Sequence, residues 1–260
     1  MILAIGATAL VASMLTLFTG FGLGTLLLPA FALYFPVEVA VASTAVVHGL
    51  NSLFKVFLVG AAADRGIVLR FGIPAMAAAV GGAVLLERLA LRPPIPVDFP
   101  WGGATVAPIK MVMGLLILVF AVVEFVPALA RASVDHRWLP LGGAVAGFFG
   151  GLSGHQGALR AIFLRRAGLV PLTFAATQAI LACLVDASRL VVYGAGGFSR
   201  HAGLLATPAT RTPILVGTLC AFAGAFAGTR MLPKVTIGAL RHLTGLLLFV
   251  VGAGLATGLF

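Results

Sequence analysis

The chain of 260 residues is 61% hydrophobic and only 9% charged, where a soluble domain carries roughly 25% charged residues. That balance excludes a protein facing mainly water, and stretches approaching the roughly 20 apolar residues that cross a bilayer core take up much of the chain. The net charge of +10 comes mostly from cations between apolar segments, where Lys and Arg meet lipid headgroups, so nucleic acid is not the expected partner.

Hydropathy predicts ten apolar segments. The first, Ile2–Phe18, lacks the basic stretch that opens a signal peptide and is followed by further spans, so it reads as a retained helix. Gly24–Phe35, Val39–Gly60, Val68–Leu86 and Ile109–Val126 follow, the last two joined by the Pro- and Gly-rich polar linker Arg92–Ala107. Leu139–Phe149, Gly157–Leu164, Leu172–Tyr193, Ile214–Leu232 and Leu243–Leu259 complete the series. A second polar linker, Gly194–Pro213, carries Arg200, His201 and Arg211. Cys183 and Cys220 lie in apolar runs without metal-ligand spacing and read as small core residues.

Gly24–Phe35, Leu139–Phe149 and Gly157–Leu164 are too short to span alone. Each abuts a glycine-dense joint, either Gly20-Phe21-Gly22-Leu23-Gly24 or the run from Gly150 through Ser153, Gly154, His155 and Gln156 to Gly157. Glycine costs a helix interior about 1 kcal/mol relative to alanine, so both joints predict broken or re-entrant helix. Irregular backbone at membrane depth survives only where it is buried in protein or lines a wet cavity. The breaks at Gly20, Gly22, Gly24, Gly154 and Gly157 therefore nominate a site.

The chain also repeats itself. Ala42-Ser43-Thr44 returns as Ala175-Ala176-Thr177, Gly24 as Gly157, and Lys110-Met111-Val112-Met113-Gly114 as Arg241-His242-Leu243-Thr244-Gly245, in order and at offsets of about 131 to 134 residues. Broken segments in matching positions of two similar halves point to a secondary transporter's binding site. The expected fold is an all-α integral membrane protein of about eight transmembrane helices in two structural repeats, about 1–130 and about 131–260, forming one transporter domain. Basic residues fall almost evenly on both sides of alternating spans, so orientation stays open, as does parallel against inverted repeat symmetry.

Charged side chains inside a span are costly and mark function by default. Thr44, His48, Asn51, Ser52 and Lys55 fall within an arc of roughly 100° at 100° per residue, a single helix face. Gln178, Asp186, Arg189 and Tyr193 fall within about 80° on another, and an offset of 134 residues superposes Lys55 on Arg189. Arg160 adds a third cation just after the second break. Cations together with N–H groups at helix starts suit an anion. The bland alternatives are that the polar faces join helices, with Asp186 and Arg189 as an i,i+3 ion pair, and that Lys55 and Arg160 snorkel to the interface.

Lys55, Asn51, His155, Gln156, Arg160 and Arg189 are thus the candidate substrate-binding residues. His48, Asp186 and Tyr193 are the candidate coupling or supporting residues. His155 reads as substrate donor, proton carrier or cap on broken backbone. No P-loop, nucleophile elbow or metal-ligand cluster appears. Nothing marks a base for Ser153, so neither an enzyme nor a cofactor nor a metal is expected.

At the breaks the sequence resembles the TauE/SafE family of membrane permeases, the sulfite exporter family. The likeness lies in Gly20-Phe21-Gly22-Leu23-Gly24 followed by Pro29, in Ala40-Val41-Ala42-Ser43-Thr44, and in Gly224-Ala225-Phe226-Ala227-Gly228-Thr229-Arg230. The stretch from Gly151 to Arg160 departs from the family's pattern of a second Gly-x-Gly-rich run followed by proline. The resemblance implies export of sulfite or a small organosulfonate such as sulfoacetate across the cell membrane, the inner membrane in a bacterium, driven by an ion gradient. The partners it implies are a small anion, the lipid bilayer and a coupling proton, with a homodimer left open. A passive anion channel and a non-transporting membrane scaffold are the competing readings.

Overall fold

In hydrocarbon, backbone N–H and C=O groups must be satisfied within their own segment, and the apolar segments accordingly form helices. A computed structural model describes residues 1–19, 22–99, 102–126, 133–195, 205, 207–230 and 248–257. In chain order these contain α1 (Ile2–Thr19), α2 (Leu23–Ala32), α3 (Val37–Val59), α4 (Arg65–Ala90), β1 (Ile95–Phe99), β2 (Gly102–Val106), α5 (Pro108–Phe125), α6 (Leu139–Ser153), α7 (Gly157–Leu164), α8 (Pro171–Ala195) and α9 (Pro208–Arg230). A last helix, α10, covers Leu248–Thr257. Helices Val37–Ala62, Arg65–Ala90, Pro171–Ala195 and Pro208–Arg230 are long and apolar enough to cross a membrane. Those over Ile2–Thr16, Leu23–Ala32, Pro108–Val122 and Leu248–Thr257 are apolar but shorter.

Two local expectations change. The linker Arg92–Ala107 contains a β-hairpin, antiparallel from Ile95↔Val106 to Phe99↔Gly102, so the fold is helical with one small two-stranded ribbon. The second break is narrower than its glycines suggest. Gly150–Ser153 are still helical, and only 154–156 interrupt the path between α6 and α7. Gly20 of the first break, Arg200 and His201 of the second linker, and the run Arg241 to Gly245 lie outside the described residues.

Gly150 and Gly151 serve packing instead. Gly143, Gly147 and Gly151, four residues apart on α6, lie against the backbones of Phe71, Ala75 and Ala79, equally spaced on α4. A Cβ on any of the three would overlap a carbonyl oxygen of α4. Small residues at this spacing let membrane helices approach to backbone contact. Gly224 and Gly228 do the same for α9 on α1, against Leu10 and Met14. Gly147→Leu is expected to cost about 3 kcal/mol, the upper end of ordinary overpacking, read as the thermal unfolding midpoint in detergent. Gly81→Leu is the control, because a Cβ there meets nothing within 4 Å and the position is exposed. Equal losses in both would remove the glycine contact as the cause.

The outer surface is apolar, and the charged side chains of the central helices are buried within an otherwise largely apolar core. Phe57, Leu69, Ile73, Val191 and Leu219 are exposed, while Lys55, Arg160, Asp186 and Arg189 are buried. Cys183 and Cys220 are free and half-buried, and Cys220 lies beside Gly6 of α1 rather than deep in the core. The α3–α4 connection is closed by Asp64. Its carboxylate accepts from Ile67 N at 2.8 Å to cap α4, and its own N–H donates to Thr177 Oγ1 on α8 at 3.0 Å. Helices α3 and α8 therefore pack together at the centre with their polar faces turned inward.

Candidate functional site

The polar faces that the spacing predicts on α3 and α8 meet at Asp186. Its Oδ2 accepts from His48 Nδ1 at 2.6 Å and from Ser52 Oγ at 3.0 Å. Its Oδ1 accepts from Gln156 Nε2 at 3.3 Å and lies 2.8 Å from Arg189 NH2, an i,i+3 ion pair along α8. The carboxylate, 1% exposed, is thus enclosed by donors from α3, from the second break and from its own helix. A carboxylate must be met in this way to be kept at such depth.

Gln156 extends the network. While its amide nitrogen donates to Asp186, its Oε1 accepts from Arg160 NH1 at 2.7 Å. Arg160 Nε donates to Gln178 Oε1 at 2.5 Å. The break thus delivers Arg160 into the bundle, held by two amide oxygens rather than by a carboxylate. On α3, the Asn51 amide, oriented so that both its groups are satisfied, donates to Ala221 O at 3.1 Å and accepts from Lys55 Nζ at 3.2 Å. Among the described residues neither Lys55 nor Arg160 has an acidic partner, although they are only 6% and 2% exposed.

These two cations share one cavity. It is lined by Thr16, His48, Asn51, Ser52, Lys55, Arg160, Gln178 and three alanines of α8, and its volume is about 20 Å³. A space of that size holds a single water molecule. Thr16 closes one wall: its hydroxyl accepts from Leu23 N at 3.1 Å across the first break and donates to Ala12 O.

The two breaks touch each other. Gly22 and Gly154 have φ of 131° and 82°, left-handed conformations that favour glycine. A Cβ on Gly24 would come within 2.9 Å of Gly154 O, and one on Gly154 within 2.7 Å of Arg189 NH1. Gly157 is the first residue of α7.

Of the predicted site residues, Lys55, Asn51, Arg160 and His48 line the cavity. Gln156 stands behind Arg160. Arg189 stands apart from the cavity, paired with Asp186 and packed on Gly154. Tyr193 donates to Gly151 O at 2.7 Å and ties α8 to the last turn of α6. His155 also stands apart, stacked on Phe120 with ring centroids 4.8 Å apart and Nδ1 3.1 Å from Ser153 Oγ. Ser52 and Gln178, named only as members of the polar faces, line the cavity as well. Thr16 gave no sign in the sequence, because a lone hydroxyl in an apolar helix ordinarily bonds its own backbone.

An apolar exterior around a cluster of four buried ionisable side chains defines an integral membrane protein. The chain belongs to the sulfite exporter TauE/SafE family, whose model matches residues 5–255. Its members are membrane transporters. Neither the curated proteins nor the solved structures gave a match.

Proposed function

We propose that the protein is a secondary transporter of the cell membrane that exports a small anion, sulfite or a small organosulfonate such as sulfoacetate, through the cavity between α3, α7 and α8. The observation that carries this reading is the pair Lys55 and Arg160, two buried cations facing one cavity without an acidic partner among the described residues. Burying an unpaired charge costs several kcal/mol, and an anion in the cavity offsets it. The halves, about 1–130 and 131–260, act as two repeats in this reading. In support, α1 packs on α9 and α4 on α6 through matching glycine contacts, and the two breaks meet at Gly24 and Gly154.

A cavity of about 20 Å³ is too small for an oxyanion, which favours a carrier with its site closed over an open channel. Transport then requires the broken segments to shift and open the cavity to one side at a time. The His48–Asp186 pair is the place for a coupling proton, since His48 lines the cavity and Asp186 holds its Nδ1.

Reconstituted into liposomes, the wild type is expected to move radiolabelled sulfite. Lys55→Met should reduce that flux at least tenfold, the loss that about 1.4 kcal/mol of anion binding implies. Undiminished flux would remove Lys55 from the site. Single-channel currents in a planar bilayer would favour the channel instead.

A further inference from the structure

Two glutamines hold Arg160, and they are not equivalent. Gln156 has both ends of its amide engaged, the oxygen by Arg160 and the nitrogen by Asp186. Gln178 has only its oxygen engaged, by Arg160 Nε, and its Nε2 has no hydrogen-bond partner although the residue is 4% exposed. The orientation of this amide is not arbitrary. Turned the other way, its N–H₂ would face the N–H of Arg160, donor against donor. Arg160 therefore fixes Gln178 with its nitrogen free, and Gln178 lines the same cavity as Lys55 and Arg160.

A buried N–H₂ group without an acceptor carries an uncompensated desolvation cost. Facing a cavity, as Gln178 does and the other buried unpartnered groups do not, such a group is open to a ligand that supplies the missing acceptor. The other polar groups on the wall, His48 Nε2 aside, are already committed: Ser52 and His48 Nδ1 to Asp186, Asn51 between Ala221 and Lys55, and Thr16 between Ala12 and Leu23.

We propose that Gln178 is a ligand-contacting residue of this cavity, whose amide nitrogen donates to an unprotonated oxygen of the transported anion. The inference rests on the transporter reading above and deepens it. Donors then reach the anion from three helices: Lys55 of α3, Arg160 of α7 and Gln178 of α8. Such an arrangement suits an anion with several separate oxygens, and the neutral amide adds direction without adding charge. The alternative is that Gln178 only braces Arg160, and its nitrogen then has no part in binding.

The chain contains only two glutamines, Gln156 and Gln178, so glutamine labelled with ¹⁵N at the side-chain nitrogen gives two N–H₂ signals. Gln178→Met, which removes one, assigns them. On adding sulfite to wild-type protein in detergent, the Gln178 signal is expected to move more than that of Gln156, which stays on Asp186. In liposomes Gln178→Met should raise the KM for sulfite roughly tenfold, with the maximal rate changed less, as loss of one neutral hydrogen bond to a charged ligand implies. A Gln178 signal unmoved by sulfite, in protein that transports sulfite, would overturn the inference and leave Gln178 a brace. Wild-type protein that transports neither sulfite nor sulfoacetate would instead overturn the transporter reading itself.

Discussion

Asp186→Ala is expected to destabilise the protein by about 3–5 kcal/mol, the cost of breaking a buried ion pair by removing one partner. Arg189, with no exposed surface, would be left without its counter-charge 2.8 Å away. His48 Nδ1, Ser52 Oγ and Gln156 Nε2 would lose their acceptor at the same time. The loss is read as a fall in the thermal unfolding midpoint in detergent and in the yield of folded protein. The double variant Asp186→Ala with Arg189→Leu should recover part of it, because it removes the stranded charge. Coupling of residues in contact typically amounts to about 0.5–3 kcal/mol in such a cycle. Strictly additive losses would mean that Asp186 and Arg189 are not coupled in the folded protein.

Arg160→Met is expected to lower sulfite flux in liposomes by roughly 30- to 5,000-fold, the equivalent of about 2–5 kcal/mol for truncating a buried, hydrogen-bonded charge. Three things go together in this variant. The cavity loses one of its two cations without an acidic partner, Gln156 loses the partner of its oxygen, and Gln178 loses the contact that fixes its amide. Arg160→Lys should not rescue it. The planar guanidinium reaches Gln178 through Nε and Gln156 through NH1 at once, and a single ammonium cannot reproduce that fork. Lysine restoring wild-type flux would show that charge alone matters there, and that neither glutamine is placed by Arg160 for a purpose.

Much of the site was legible because helical spacing is a strong constraint. Polar residues at positions 44, 48, 51, 52 and 55 must share one face, and so must 178, 186, 189 and 193. Both faces are buried against each other, and Asp186 and Arg189 form the i,i+3 pair that the spacing allows. The offset that superposes Lys55 on Arg189 nevertheless does not say which of the three cations share a cavity. In the fold Lys55 shares its cavity with Arg160, while Arg189 is drawn behind it by Asp186. Sequence periodicity states which residues lie on a face, but not how far each helix is rotated or slid against its neighbour. That is set by close packing, and here by glycines such as Gly143, Gly147 and Gly151, whose partners on α4 lie far away in the chain.

The glycine-dense run before His155 carried two meanings that composition does not separate. Gly150 and Gly151 remain helical and serve contact, whereas Gly154 takes φ of 82° and makes the turn. A glycine in a membrane helix lowers the cost both of breaking it and of packing it closely, and only the neighbouring backbone decides which is used. The hairpin in Arg92–Ala107 was illegible for a related reason. Its β1 and β2 are five residues each, and such short strands carry too little alternation to rise above a linker rich in proline and glycine.

By itself the sequence determined that this is a helical membrane protein, roughly where its helices lie, near which glycines two of them break, and which polar residues share a face. Those properties follow from hydropathy, helical period and glycine, all local along the chain. Only the tertiary structure decided that the breaks at Gly24 and Gly154 touch, that Asp186 gathers four donors, and that Lys55, Arg160 and Gln178 face one cavity. Each of these joins residues more than a hundred positions apart or separated by a break, and the packing of backbone on backbone sets their meeting.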